Sequence, residues 1–279
     1  MNADKMLENA EFVSLEGLEI RTLTSLRPES ETVLLLSPWP ESILAFAPIW
    51  PALEPEFSLI AADLPGFGQS EGRPDLMSPR AMGEFVVQLV AHLGLDRPHA
   101  IGPDVGTGAL LFAAATHPEV FRSVIVGAGA ATFPLHVDGL LKTFIEAESV
   151  DPFRSDDPGQ GIRAATASIQ NYEVPDVVVE DYVQSYSGER FIESVAYVRN
   201  YPADLADLAP LLATVATPVQ IIVGRQDPYG LAEDAELLDD QLPHSRLNVL
   251  DCGHCAWEEE AAAYGEIVLE WIGGASSEV

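Results

Sequence analysis

Apolar positions along the chain follow two patterns in turn. At 12–15 and 19–23 they alternate with polar ones, the period of a half-buried strand, with Glu16-Gly17 as a turn between. At 32–36 they run unbroken, as a strand covered on both faces requires. That run stops at Ser37-Pro38-Trp39-Pro40, where proline has no N–H for a ladder. Residues 57–62 form the next buried run. Residues 78–93 have helical spacing: Ser78 is placed to cap, Pro79 suits the first turn, and Gly94 closes the element. A short strand at 99–102, a small-residue helix at 105–116 and a strand at 123–127 follow. Alternation of this kind, with short connections, predicts an α/β fold: a mostly parallel sheet flanked by helices on both faces.

The pattern changes at 132–216. Buried β-branched runs become scarce, and amphipathic helical stretches are interrupted at Pro152, Pro158 and Pro175. A buried strand at 218–224, a helix at 231–242, a strand at 247–250 and a helix at 257–272 then resume the earlier alternation. The expected organisation is one core, residues 1–131 and 217–279, with a helical lid inserted at 132–216, a stretch too long for a plain loop. Glu258-Glu259-Glu260 reads as a solvated helix start, where negative charge is favoured.

Charge narrows the partners. The 279 residues carry 14 Lys plus Arg against 44 Asp plus Glu, a formal charge of −30. A chain that acidic is no general nucleic-acid binder and no polybasic membrane-surface protein. With 47% hydrophobic residues it is too apolar for a disordered acidic tail. No apolar run reaches the ~18–20 residues needed to span a bilayer, and the first eleven residues carry no signal-peptide core, so a cytoplasmic location is expected. Two cysteines, Cys252 and Cys255, cannot make a disulfide framework. They form a C-x-x-C in which oxidation could distort the loop, but the thioredoxin-like context for dithiol catalysis is missing, and further metal ligands are not adjacent.

Three positions carry the chemistry. Gly102-Pro103-Asp104-Val105-Gly106 follows a strand and opens a helix. Glycines on either side allow a sharp turn that holds the central side chain out at the strand's carboxyl end, the geometry of a G-x-S-x-G nucleophile turn with aspartate in the serine position. Asp104 could also be a plain helix cap. Asp227 lies just past the strand at 218–224, and His254 just past the strand at 247–250. The chain order nucleophile, acid, histidine, each beyond a strand's carboxyl end, is that of a catalytic triad.

On these residues the chain resembles the α/β-hydrolase fold family. Asp63-Leu64-Pro65-Gly66-Phe67-Gly68-Gln69-Ser70 is similar to the family's D-x-P-G-x-G-x-S segment, Gly224 to Asp227 to its G-x-x-D turn, and Gly253-His254 to its histidine loop. Aspartate at position 104 resembles the epoxide hydrolase and haloalkane dehalogenase branch. The resemblance implies that Asp104 attacks an sp³ carbon directly to form an alkyl ester. His254, supported by Asp227, then activates water, and the backbone N–H groups of Trp39 and Val105 form the oxyanion hole. No metal and no organic cofactor is implied. The expected substrate is a small apolar electrophile, an epoxide by first reading, acted on by a monomer or homodimer.

The chain also departs from the pattern. The segment that usually begins His-Gly reads Ser37-Pro38. Val105 offers no side-chain donor to a halide, which ranks dehalogenation second. Epoxide opening needs an acid, which the resemblance places on lid tyrosines: Tyr172, Tyr182, Tyr186 and Tyr197 are the candidates, each of which could equally be a packed aromatic. Two other readings stay open: non-covalent acid/base chemistry in a lyase or cyclase of secondary metabolism, and a small-molecule receptor on the same scaffold.

Overall fold

The two-residue turn Glu16-Gly17, with φ of 53° and 79°, fits the left-handed hairpin geometry and sets the first pairing, Leu15 opposite Leu18. The computed structural model describes residues 1–155 and 157–274. Its strands are β1 (Glu11–Leu15), β2 (Leu18–Ser25), β3 (Thr32–Leu36), β4 (Ser58–Ala62), β5 (His99–Pro103), β6 (Val124–Gly127), β7 (Val219–Gly224) and β8 (Ser245–Leu250). They form one sheet in the order β1-β2-β4-β3-β5-β6-β7-β8. The β1–β2 and β2–β4 pairs are antiparallel. All pairs from β4–β3 onward are parallel. The unbroken apolar runs of β3, β4, β6 and β7 are buried on both faces, as a parallel sheet between helical layers demands.

The helices are α1 (Ala3–Asn9), α2 (Trp50–Leu53), α3 (Pro79–His92), α4 (Val105–Thr116), α5 (Gly139–Glu146), α6 (Pro158–Ala167), α7 (Asp176–Ser185), α8 (Arg190–Arg199), α9 (Tyr201–Leu212), α10 (Leu231–Gln241), α11 (Ala256–Glu259) and α12 (Ala261–Ile272). Ser78 caps α3 by accepting the Ala81 N–H. Helices α5 to α9 all fall between β6 and β7, and Pro158 and Pro175 stand at the starts of α6 and α7.

A buried charge cluster fastens this helical segment to the sheet. The Arg21 guanidinium on β2 donates to Asp63 Oδ2 at 2.7 Å and, through both terminal nitrogens, to Asp181 on α7 at 2.8 and 3.0 Å. Ser42 and Gln69 also donate to Asp181, each at 2.6 Å.

One expectation fails at the C-terminal end. The helix read at 257–272 is two helices, broken at Glu260, and its acidic start is not solvated. Glu258 and Glu259 are 2% and 6% exposed. Glu259 turns inward to accept the Gly253 N–H at 2.6 Å, and Glu258 accepts the Tyr182 hydroxyl at 3.3 Å. The loop after β8 and helix α7 supply donors that water would otherwise supply.

Candidate active site

Because β5, β7 and β8 run parallel, Asp104, Asp227 and His254 emerge at one edge of the sheet. Asp104 joins β5 to α4 at φ 53°, ψ −119°, a conformation costly for any residue with a Cβ. Three contacts hold it. Its N–H donates to Gly127 O at 2.9 Å, and its own carbonyl accepts the Thr107 N–H at 3.0 Å. Gly129 lies so close that an added Cβ would stand 2.1 Å from the Asp104 carbonyl oxygen.

The Asp104 side chain makes no helix-cap bond. Instead Oδ2 accepts the Trp39 N–H at 2.7 Å. Burial lifts its pKa to about 6, while nearby His254 and the backbone N–H groups of Trp39 and Val105 pull the other way.

His254 Nδ1 lies 2.7 Å from Oδ2 of the fully buried Asp227. Asp227 Oδ1 accepts the Tyr229 N–H at 2.8 Å, which fixes the carboxylate plane. The imidazole sits edge-on to Tyr229 and Trp257, with centroids 4.9 and 5.9 Å away. With Nδ1 taken, Nε2 is the nitrogen available for chemistry. Burial opposes a charged ring, but Asp227 first, then Asp104 and Glu41, raise its pKa to about 9. Gly224 brings the two loops together: a Cβ there would meet the Gly253 carbonyl oxygen at 1.8 Å.

Asp104 and His254 line one cavity of about 340 Å³. Trp39, Glu41 and Tyr229 share its wall with apolar side chains of α5 and α6, among them Leu140, Phe144 and Ile162. Trp39 Nε1 donates to Ser194 Oγ at 2.7 Å, and the indole stacks on Phe191 at 5.5 Å.

The four candidate tyrosines do not line this cavity, which corrects the expectation that one of them faces the substrate. Tyr186 donates to Glu41 O at 2.9 Å and accepts the Gly68 N–H; Tyr197 donates to Val105 O at 2.7 Å; Tyr182 donates to Glu258. Burial pushes all three phenols well above their ordinary value. Tyr172 is half-buried, and burial, with Glu258 nearby, moves it to about 12. Three of the hydroxyls are tied to the core: Tyr186 to the loops at Glu41 and Gly68, Tyr197 to the first residue of α4, and Tyr182 to α11.

Two wall residues escaped the sequence reading. Tyr229 stands two positions after Asp227, and Glu41 directly follows Trp39-Pro40, so adjacency to named positions was the available signal. Glu41 is 6% exposed and accepts Trp257 Nε1 at 3.1 Å and Cys255 Sγ at 3.5 Å. Burial, with Asp104 adding and His254 opposing, raises its pKa to about 7. Cys252 and Cys255 are free and buried. Burial lifts the Cys252 thiol to about 12 and pushes the Cys255 thiol well above its ordinary value, so neither offers a thiolate for dithiol chemistry. Glu41, Cys255 and Glu258 each bring one ligand-type atom within 4.8 Å of the others, a spacing a cation could use. Donors from Trp257, Tyr182 and the thiol already point into that group.

A family model described as alpha/beta hydrolase fold matches residues 31–144. Epoxide Hydrolase A from Mycobacterium thermoresistibile superposes with a TM-score of 0.80 at 16% identity, over 95% of this chain and 98% of that one. The chain has the α/β-hydrolase fold. Relatives in sequence carry hydrolase names. A 2-hydroxy-6-oxononadienedioate/2-hydroxy-6-oxononatrienedioate hydrolase of Pseudomonas putida is 26% identical over 80% of this chain and 79% of its own length. A soluble epoxide hydrolase of Corynebacterium sp. is 33% identical over 94 residues, 34% of this chain and 33% of that protein. In this α/β-hydrolase fold the Ser37-Pro38 departure still leaves the Trp39 N–H aimed at Asp104. Among the described residues no helix is long and apolar enough to cross a membrane.

Proposed function

We propose that this protein hydrolyses an epoxide through an ester on Asp104, with His254 as base and Asp227 as the group that orients it. The observation that carries the reading is the placement of the backbone donors. The Trp39 N–H bonds Oδ2 of the Asp104 carboxylate at 2.7 Å, and the Val105 N–H stands next in the chain at the head of α4. Oδ1 is then the attacking oxygen. Oδ2 becomes the ester carbonyl oxygen and, once water adds, the oxyanion, with a donor already in place for each state. A serine at this position would offer one oxygen, not two.

Water attack in the second half requires a base, and His254 lines the same cavity with Nδ1 held by Asp227, which leaves Nε2 for that role. The apolar walls of α5 and α6 suit a substrate with little charge. Dehalogenation stays the second reading and is weaker, since the Trp39 indole N–H, a halide donor by type, is committed to Ser194. Helices α5 to α9 act in this proposal as the lid.

The test is a trap. His254→Gln, exposed to a panel of epoxides and haloalkanes, is expected to gain the mass of one whole epoxide, mapped to Asp104. Gain of an alkyl group without halogen would replace the leading reading with the second. An unmodified protein across the panel, with wild-type turnover on the same compounds, would remove the ester mechanism.

A further inference from the structure

Glu41 lines the cavity and Glu258 lies near it; both are buried, and neither forms a salt bridge to Lys or Arg among the described residues. One oxygen of each carboxyl group lies within 4.8 Å of an oxygen of the other. Each has one oxygen served by a neighbour: Trp257 Nε1 donates to Glu41 Oε2, and the Tyr182 hydroxyl to Glu258 Oε1. Glu41 Oε1 has only the weak thiol donor of Cys255, at 3.5 Å, and Glu258 Oε2 is buried with no partner. Two carboxylates side by side in a low-dielectric site do not both ionise. The orphaned oxygen and the missing cation have one common remedy, a hydrogen between the two groups.

We propose that Glu41 and Glu258 hold one proton between them, and that Glu41, which lines the cavity beside Asp104 and His254, delivers it to the oxygen of the opening epoxide. This rests on the ester mechanism proposed above. It fills the place that Tyr172, Tyr182, Tyr186 and Tyr197 leave empty, since those four do not line the cavity. The groups facing Glu41 are Asp104 at the head of α4, His254 and Cys255 from the loop after β8, Trp257 and Glu258 on α11, and Tyr182 on α7. His254 is the cationic partner among them, and Asp104 and Glu258 are the anionic ones.

The cycle balances. Asp104 attacks a ring carbon, the C–O bond breaks with its electron pair going to oxygen, and that oxygen takes the proton from Glu41. Water then adds to the ester carbonyl carbon and gives a proton to His254 Nε2. His254 passes it to the departing alcohol oxygen. The proton left on the Asp104 carboxyl returns to the Glu41–Glu258 pair. One epoxide and one water become one diol.

Two measurements test this. The first needs no substrate: the infrared spectrum of the whole protein at neutral pH is expected to show a protonated-carboxyl band that both Glu41→Gln and Glu258→Gln lose. Circular dichroism on these near-isosteric variants checks that they fold. The second uses His254→Gln, in which the ester accumulates. The rate of adduct formation is expected to fall as pH rises past neutrality. Adding Glu258→Gln removes the neighbouring negative charge, so Glu41 gives up its proton earlier and the fall moves to lower pH by about one unit or more. Adding Glu41→Gln slows ester formation about 10²-fold. An adduct with no infrared band, or a pH limb that Glu258→Gln leaves in place, overturns the inference while the nucleophile stands. A band with no adduct removes the ester reading and Glu41's part in ring opening with it. One bound divalent cation per chain in the purified protein, lost in either variant, overturns the shared proton.

Discussion

His254 and Asp227 form a pair whose members set each other's state. Asp227 is the largest influence raising the imidazole against the burial that lowers it. Asp227→Asn is therefore expected to bring His254 down from about 9 toward its ordinary value, read by NMR titration of the ring. Turnover should fall by about 10³- to 10⁴-fold, since an amide favours the wrong tautomer. Asp104, Asp227 and His254 were legible in the sequence because each stands at a fixed offset from a buried strand. The acid was not. Tyrosines 172 to 197 share a helical segment, but periodicity cannot say which face turns toward a cavity and which toward a core loop. Glu41 carries no pattern of its own; only burial against Trp257 and Cys255 singles it out.

At the scale of elements, the strands were read almost to their ends: the apolar run at 32–36 is β3, and the helix at 105–116 is α4. Those signals are strong because central parallel strands bury both faces and so are mostly apolar. The last helix was misread because Glu258 and Glu259 look solvated until the loop that takes their hydrogen bonds is in place. The tie between α7 and the sheet was equally invisible, since Arg21 and Asp181 lie 160 positions apart. Asp181→Ala leaves the Arg21 guanidinium buried with one carboxylate in place of two. Loss of a partner from a buried ion pair costs about 3–5 kcal/mol, so the variant should unfold at distinctly lower urea concentration than the wild type.

For the whole molecule, the cavity makes stability fall as pH rises. His254 reaches about 9 folded against 6.5 as its ordinary value, Asp104 about 6 against 3.8, and Glu41 about 7 against 4.5. In each case the folded chain binds its proton more tightly than the unfolded chain does. The contribution of the two acids is complete below about 4 and fades as pH climbs through 6 and 7; that of His254 is complete below about 6.5 and fades through 9. The Tm is thus expected to decline steadily from mildly acidic to alkaline pH, and the part of the decline above neutrality should shrink in His254→Gln. The Arg21 anchor also fixes the route by which molecules come and go. With α7 fastened by its aspartate to a strand and two loops of the core, and α8 pinned through Tyr197, that side of the roof is a fixed hinge. Under the proposed reaction, traffic to and from Asp104 is expected to pass on the side of α6, whose apolar side chains form part of the opposite wall, and that passage would set how quickly a diol leaves.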